Sequence, residues 1–513
     1  MTNNLRNIRI RQALISVYHK EGLAPIVAVL SQLGVRILST GGSLSYIREL
    51  GVDASSVEDL TGYPSILGGR VKTLHPKVFG GILARREVPS DQKELEQWDI
   101  EPIDMVIVDL YPFEDTVASM APQAEIIEKI DIGGISLIRA AAKNYKDVLI
   151  VPCRTLYPEV LSLLQEQGGH TTLSDRKYFA AQAFKISSHY DTAIFNYFNQ
   201  EANLPVFKTS LLDSPLRLRY GENPHQHAMY FGEKDSLPRQ LHGKEISYNN
   251  LLDIESAIKL IHDFTDPTVA IIKHNNACGC ASREDLTQAW HCALQADPLS
   301  AFGGIIIVNR EIQPETAEEI NKLFFEVIIA PSYCPGALEL LKSRKNRIIL
   351  QYDKDASLPA QEFRSLMNGV VVQDRDTAVE NLSSFTQVSH KTPEKNQLAD
   401  LVFANKLVKH TKSNAIVLVK DQMLLASGMG QTSRVDALKH AIEKAGTFGL
   451  SLQNAVMASD AFFPFPDCVE IADKAGITAV IHPGGSINDQ KSIDYCNSHN
   501  MAMICTGIRH FKH

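Results

Sequence analysis

At 513 residues the chain is too long for one hydrophobic core and suggests two to four domains. Hydrophobic content of 44%, charged content of 21% and a net charge of −8 fit a globular protein and argue against nucleic acid or an anionic membrane as its main partner; local basic loops still leave room for a small anionic substrate. No apolar run reaches the roughly 18 residues of a spanning helix, no secretion signal follows Met1, and eight scattered cysteines suit reduced thiols in a cytoplasmic protein.

In chain order, Gln12 to Val17 reads as a strand, Leu23 to Leu33 as a helix and Val35 to Leu38 as a second strand. Thr40-Gly41-Gly42-Ser43 then opens a helix through Leu50, as a phosphate cradle or only as a tight turn. Gly68-Gly69-Arg70-Val71-Lys72-Thr73-Leu74-His75-Pro76-Lys77 is either a solvated basic loop or a ligand loop. If it is extended, Arg70 and Lys72 share a face, one placed for a phosphate and the other for a carbonyl. Met105 to Leu110 and Val148 to Val151 are further strands, and strands alternating with helices favour a parallel α/β sheet with ligands at its carboxyl edge. Asp109 ends a strand just before Tyr111, where a loop cap and a ligand contact are both open. Asp131-Ile132-Gly133-Gly134 leads a helix over Ile135 to Lys143. Nine helical residues span about 13 Å, so Asp131 and Lys143 meet one ligand only through a bend or a neighbouring subunit.

A helix-rich stretch from Leu173 to Asn199 precedes an aperiodic segment, Gln200 to Ser214, and the domains divide into 1–199 and 200–513. The second part is again α/β, with strands at Thr268 to Ile272, Gly304 to Val308, Ala415 to Val419, Ala455 to Ala458 and Thr478 to Ile481. A weak duplication shows in Ile272-Lys273 and Val419-Lys420, each followed by a Ser/Ala/Phe run, Ser300 to Phe302 and Ser459 to Phe463. Residues 351–392 are polar and read as an insertion or linker. Arg219 to Gln226 is dense in hydrogen-bonding groups, Thr411 to Asn414 precedes a strand, and Gly428 to Arg434 is glycine-rich without a Walker lysine. A final strand, Met501 to Cys505, delivers Arg509 to a site.

The richest chemistry lies in Ile271 to Cys280. Cys278-Gly279-Cys280 lacks the second ligand pair a zinc site wants. On a regular strand Lys273 and His274 face opposite ways, so they share a pocket only where Asn275-Asn276 breaks the strand. There a lysine cation would hold the histidine neutral as a base.

Together these segments resemble the bifunctional AICAR transformylase and IMP cyclohydrolase family. The resemblance runs from Ser16 to the C-terminus and is most specific at Gly68 to Pro76, Asp131 to Gly134, Ala140 to Asn144, Arg219 to Gln226, Ser459 to Phe465 and Arg509 to Phe511. It implies a methylglyoxal-synthase-like parallel α/β N-terminal domain and a C-terminal duplicated cytidine-deaminase-like α/β region. It implies formyl transfer from 10-formyltetrahydrofolate to AICAR, then closure of FAICAR to IMP with loss of water. A homodimer is implied, with folate as co-substrate, no tightly bound cofactor and no metal.

By the same resemblance Lys273, His274 and Asn414 carry formyl transfer, and Lys72, Tyr111, Asp131 and Lys143 carry ring closure. Arg219, Tyr220, Asn250, Arg434 and Arg509 would hold AICAR, and Phe302, Phe462, Phe463 and Pro464 the folate face. Ser16, Lys20, Thr40, Gly41, Gly42, Arg70 and Thr73 match nucleotide contacts, with Asp109 nearby. The family commonly has Asn at the position of Asp109 and Ser-Asp-Lys-Thr where Tyr18-His19-Lys20-Glu21 stands.

Overall fold

A computed structural model describes residues 7–212, 215–232, 236–356, 358–380 and 382–513. The chain divides into two units, Met1–Leu212 and Asp213–His513. The helix expected over 173–199 runs Leu173–Ala202 from a capping box made by Thr172 and Asp175, so the division falls late in the aperiodic segment.

In the first unit five parallel strands, β1 (Gln12–Ser16), β2 (Arg36–Ser39), β3 (Ser55–Ser56), β4 (Met105–Val108) and β5 (Leu149–Val151), lie in the order β3-β2-β1-β4-β5. β1, β4 and β5 are short apolar runs buried along nearly their whole length, as parallel strands covered on both faces must be. Leu23, Ile26, Val27 and Leu30 pack from helix Leu23–Gln32, and Leu137, Ile138 and Ala141 from helix Gly133–Lys143. Strand order reverses beside β1, so the register Ser16↔Val108 and Ile15↔Ser39 brings the loops after β1, β2 and β4 to one crevice.

The second unit is built on one twelve-stranded sheet. Its strands are β6 (Arg239–His242), β7 (Thr268–Lys273), β8 (Asn276–Ser282), β9 (Ile305–Val308), β10 (Val327–Ala330), β11 (Ile348–Gln351), β12 (Thr386–Gln387), β13 (Ile416–Lys420), β14 (Met423–Gly428), β15 (Val456–Ser459), β16 (Ala479–His482) and β17 (Ala502–Cys505). Their order is β6-β11-β10-β9-β7-β8-β14-β13-β15-β16-β17-β12. Read inward from either edge, both halves take their strands in the same chain sequence and with the same parallel and antiparallel pairings. The duplication is therefore real, and the halves meet antiparallel at Ala281↔Met423.

Strand-then-lysine was the correct marker: Lys273 and Lys420 end equivalent strands, each after a register shift one residue earlier. The Ser/Ala/Phe runs are not equivalent, because Ser300 to Phe302 precedes β9 whereas Ser459 closes β15. The polar stretch between the repeats holds an antiparallel hairpin, Gln361–Leu366 with Gly369–Asp374.

Candidate active sites

In the first unit a cavity of about 680 Å³ opens at the carboxyl edge of β1, β2 and β4. Helix Gly41–Glu49 starts there with Thr40 extended and no side chain capping its first N–H groups, which leaves a positive end free for an anion. Ser16 and Thr40 hydroxyls are 3.0 Å apart, and Ser43 Oγ accepts the Val17 N–H at 3.0 Å. Gly41 has φ +43, and a side chain there or at Gly69 would abut Lys72 Nζ at 3.5 and 3.3 Å. Two glycines thus make room for one ammonium.

On the opposite wall the buried Asp131 accepts the Gly134 N–H at 2.6 Å at the start of helix Gly133–Lys143. The Asp131 N–H donates to Tyr190 Oη at 2.9 Å, and that hydroxyl donates to the Lys129 carbonyl. Burial pushes the Asp131 carboxyl up, and burial with nearby Asp131 pushes Tyr111 up. Both groups are therefore biased toward holding a proton. Lys20 Nζ donates to the carbonyls of Val17 and Tyr18, and burial lowers its pKa. Arg70 pairs with exposed Glu128, a contact easily given up to a ligand.

In the second unit β7 and β8 are joined by a two-residue turn. His274 and Asn275 take φ +51 and +65, and Lys273 pairs with Asn276 across it. This is the break expected from Asn275-Asn276. Lys273 Nζ donates to the Phe302 carbonyl at 2.9 Å. Asn276 Nδ2 donates to the His274 carbonyl at 2.9 Å, and Asn276 Oδ1 accepts the Lys412 N–H at 2.9 Å. That one amide ties the turn to the loop bearing Asn414. Asn414 follows a cis peptide bond and donates to the Gln431 carbonyl, while its oxygen accepts from Arg434 Nη2 at 3.0 Å. Arg434 also donates to Ser459 Oγ at 2.8 Å and to buried Asp460 at 2.7 Å. The pairings Ile416↔Gly428 and Ile416↔Ser459 put these groups at the same sheet edge as the start of β8.

A model of the AICARFT/IMPCHase bienzyme matches residues 141–444, and a model of the MGS-like domain matches residues 22–136. A Bacteroides thetaiotaomicron protein named bifunctional purine biosynthesis protein PurH is 60% identical over 505 residues, covering 98% of this chain and 99% of its own. Proteins of the same name from Acetivibrio thermocellus and Aquifex aeolicus are 46% and 45% identical over 98% of this chain and all of theirs. The chain belongs to the AICARFT/IMPCHase bienzyme family. It is a bifunctional purine-biosynthesis enzyme with AICAR formyltransferase and IMP cyclohydrolase activities.

Within this bienzyme the first cavity gathers every residue expected of it except Lys143. Lys143 is exposed in the last turn of helix Gly133–Lys143, whose first turn lines the cavity. The separation anticipated from helix geometry is therefore present, with no bend to close it. Asp109 lines the cavity with both oxygens already used: Tyr18 N–H donates to one, and His19 N–H and Nδ1 to the other at 2.9 Å each. It caps the loop from the cavity wall.

Three residues expected at the second site are held within the protein. Phe463 is fully buried against His482, with ring centroids 4.7 Å apart, so it is core and presents no face to a ligand. Asn250 is a buried capping residue that accepts from Ser247, and its Nδ2 lies 3.4 Å from Glu326. Arg434 bonds within the protein to Asn414, Ser459 and Asp460, and so orients Asn414. Phe302, Phe462 and Pro464 are exposed, as is Arg509, which stacks on Phe511 at 4.4 Å. Exposed Arg219 lies over the ring of Tyr220, and their backbones join Ile246 and Tyr248 at the start of helix Tyr248–His262. A second cavity of about 1280 Å³ along that helix holds none of the expected residues.

Sequence reading missed Asn276, Ser459 and Asp460 as members of the site. Asn276 was legible only as a turn former, since its partner Lys412 is 136 residues away. It also placed the thiols in a glycine turn. They lie on β8, where burial pushes the Cys278 thiol up to about 12 and Cys280 further. Gly279 stands between them because a side chain there would run into the Ala293 carbonyl of the covering helix.

Proposed function

We propose that each unit houses one reaction: ring closure in the domain assigned to 1–199, and formyl transfer in 200–513 at the edge bearing Lys273, His274 and Asn414. The observation that carries this reading is the first cavity. An uncapped helix start, Lys72 Nζ, the Tyr111 hydroxyl and the Asp131 carboxyl surround one space there.

Ring closure joins the FAICAR carboxamide nitrogen to its own formyl carbon. The carboxamide nitrogen gives up one proton, the formamide nitrogen gives up the other, and the former formyl oxygen leaves with them as water. The Thr40 to Ser43 turn, with Ser16, Arg70 and Thr73, would hold the phosphate end. Lys72 would face the oxygen that gains charge. Asp131 and Tyr111, both biased toward protonation by burial, would exchange the protons. Because the reaction is intramolecular, holding the two groups together supplies much of its rate.

In formyl transfer the AICAR amine attacks the formyl carbon of 10-formyltetrahydrofolate, and the bond from that carbon to folate N10 breaks. His274 would take the amine proton, Lys273 would assist protonation of N10, and Asn414, held by Arg434, would direct the formyl oxygen. Arg219, Tyr220 and Arg509 would hold the phosphate and sugar. Phe302 and Phe462, exposed as they are, would face the folate, which comes and goes as a co-substrate.

The bienzyme would act as a homodimer. The hairpin Gln361–Asp374 exposes Phe363, Val370 and Val372 on one face and Leu366 and Val371 on the other, and either apolar face would suit a second copy. A subunit contact is also the remaining route by which Lys143 would reach a cavity.

The test supplies AICAR and 10-formyltetrahydrofolate and follows tetrahydrofolate and IMP. His274→Ala is expected to slow tetrahydrofolate release by at least about 10²-fold while added FAICAR is still converted to IMP. Loss of both activities in a folded variant would overturn separate sites.

A further inference from the structure

We propose that Asp253 is a positioning residue for formyl transfer, because its carboxylate holds the His274-Asn275 turn in the left-handed conformation that sets how His274 leaves the backbone. The inference rests on the assignment of that reaction to His274.

Two consecutive residues other than glycine with φ of +51 and +65 are costly for L-amino acids, at about 1–2 kcal/mol for His274 and less for Asn275. Two-residue hairpin turns of this shape normally use Asn-Gly or Asp-Gly. His274-Asn275 lacks the glycine, so something outside the turn must favour the conformation. Asp253, from the second turn of helix Tyr248–His262, does so. Its Oδ1 accepts the Asn275 N–H at 2.6 Å.

The second repeat contains the same device. Asp421 and Gln422 have φ +51 and +50 between β13 and β14, and Asp400 accepts their N–H groups at 2.9 and 2.6 Å. Asp400 lies in helix Lys395–Lys409, the counterpart of helix Tyr248–His262. The turns differ in what meets their carbonyls. Arg283 Nη1 closes on Asp421 and Gln422, whereas the His274 carbonyl accepts from Asn276, which leads to the Asn414 loop. Paired strands run antiparallel across the junction, so the second turn lies at the opposite sheet edge, away from that loop. The molecule thus carries a built-in control, one aspartate-held turn bearing His274 and one bearing no group used in the chemistry.

The experiment measures formyl transfer and cyclisation of added FAICAR in the full chain. Asp253→Ala should lower kcat for formyl transfer at least about 10-fold, since misplacing a reacting group by about 1 Å costs up to 10²-fold. KM for AICAR and the cyclisation rate should stay within about twofold. Asp253→Asn keeps an oxygen that accepts the Asn275 N–H and should recover most of the lost kcat. Asp400→Ala removes the equivalent bonds and should lower the melting temperature while leaving kcat within about twofold. The proposal is overturned if Asp253→Ala costs no more kcat than Asp400→Ala, or if Asp253→Asn recovers none of it. A formyl transfer rate that survives His274→Ala would instead reject the underlying assignment.

Discussion

Asp109 shows how far a single residue could be read. From the sequence it was a strand-end carboxylate with two open roles, and an apparent departure from a family that carries asparagine there. The structure shows what Asp109 does in this chain. Asp109 receives three N–H groups from Tyr18 and His19, so it must offer acceptors on both oxygens. In a loop with aspartate at position 19 that side chain would be an acceptor, and asparagine at 109 would offer it a donor. Such an exchange of donor and acceptor would escape any reading confined to one segment, since the pair is 90 residues apart. Asp109→Asn alone is expected to set an amide NH₂ against an N–H donor, cost about 1–3 kcal/mol and raise KM for FAICAR. Adding His19→Asp should recover about 1 kcal/mol or more of this, a coupling measurable by a double-mutant cycle on thermal melts. Strictly additive effects would refute the exchange.

Among the elements, strands such as Ile305–Val308 and Ile416–Lys420 were legible as continuous apolar runs, whereas Val327–Ala330, Ile348–Gln351 and Met423–Gly428 went unread. The second hairpin strand, β8, was not legible either, because Asn276 to Ser282 has neither alternation nor bulk. Its small residues answer to the helix above it. Gly428 on β14 has the same task, since a Cβ there would run into the Ala437 carbonyl of helix Arg434–Thr447. Gly428→Ala should therefore separate strand from helix and cost about 1–3 kcal/mol. In the same helix Gly446 has open space around it, and Gly446→Ala should stabilise by up to about 1 kcal/mol. Opposite shifts in melting temperature from the same chemical change would separate close packing from backbone entropy. A destabilising Gly446→Ala would contradict this account.

At the scale of the whole second unit, the last few residues act as a clasp. Ser413 and Lys512 exchange backbone and hydroxyl hydrogen bonds of 2.9 and 3.0 Å, Lys512 Nζ reaches the His410 carbonyl, and the His510 N–H reaches the Asp460 carbonyl. The buried His510 ring lies between Asp376 at 2.6 Å and Glu380 at 2.8 Å. With a carboxylate on each nitrogen the ring donates from both and carries a proton. Although burial opposes this, the two partners raise its pKa to about 9. A histidine raised in this way contributes stability that is fully present below its ordinary pKa near 6.5 and is lost as pH rises through about 9. Lys512 works in the opposite sense, because burial lowers its pKa to about 8 and the folded state sheds that proton early. The histidine effect is therefore cleanest between about pH 6.5 and 8, where it amounts to roughly 2 kcal/mol. Stability of the second unit should fall over that interval, and His510→Gln should flatten the dependence while lowering stability at pH 6.5. Since the clasp delivers Arg509 and braces the Asn414 loop, formyl transfer in the variant should show a raised KM for AICAR with cyclisation unchanged. A variant that keeps the wild-type slope of melting temperature against pH would show that the proton resides elsewhere.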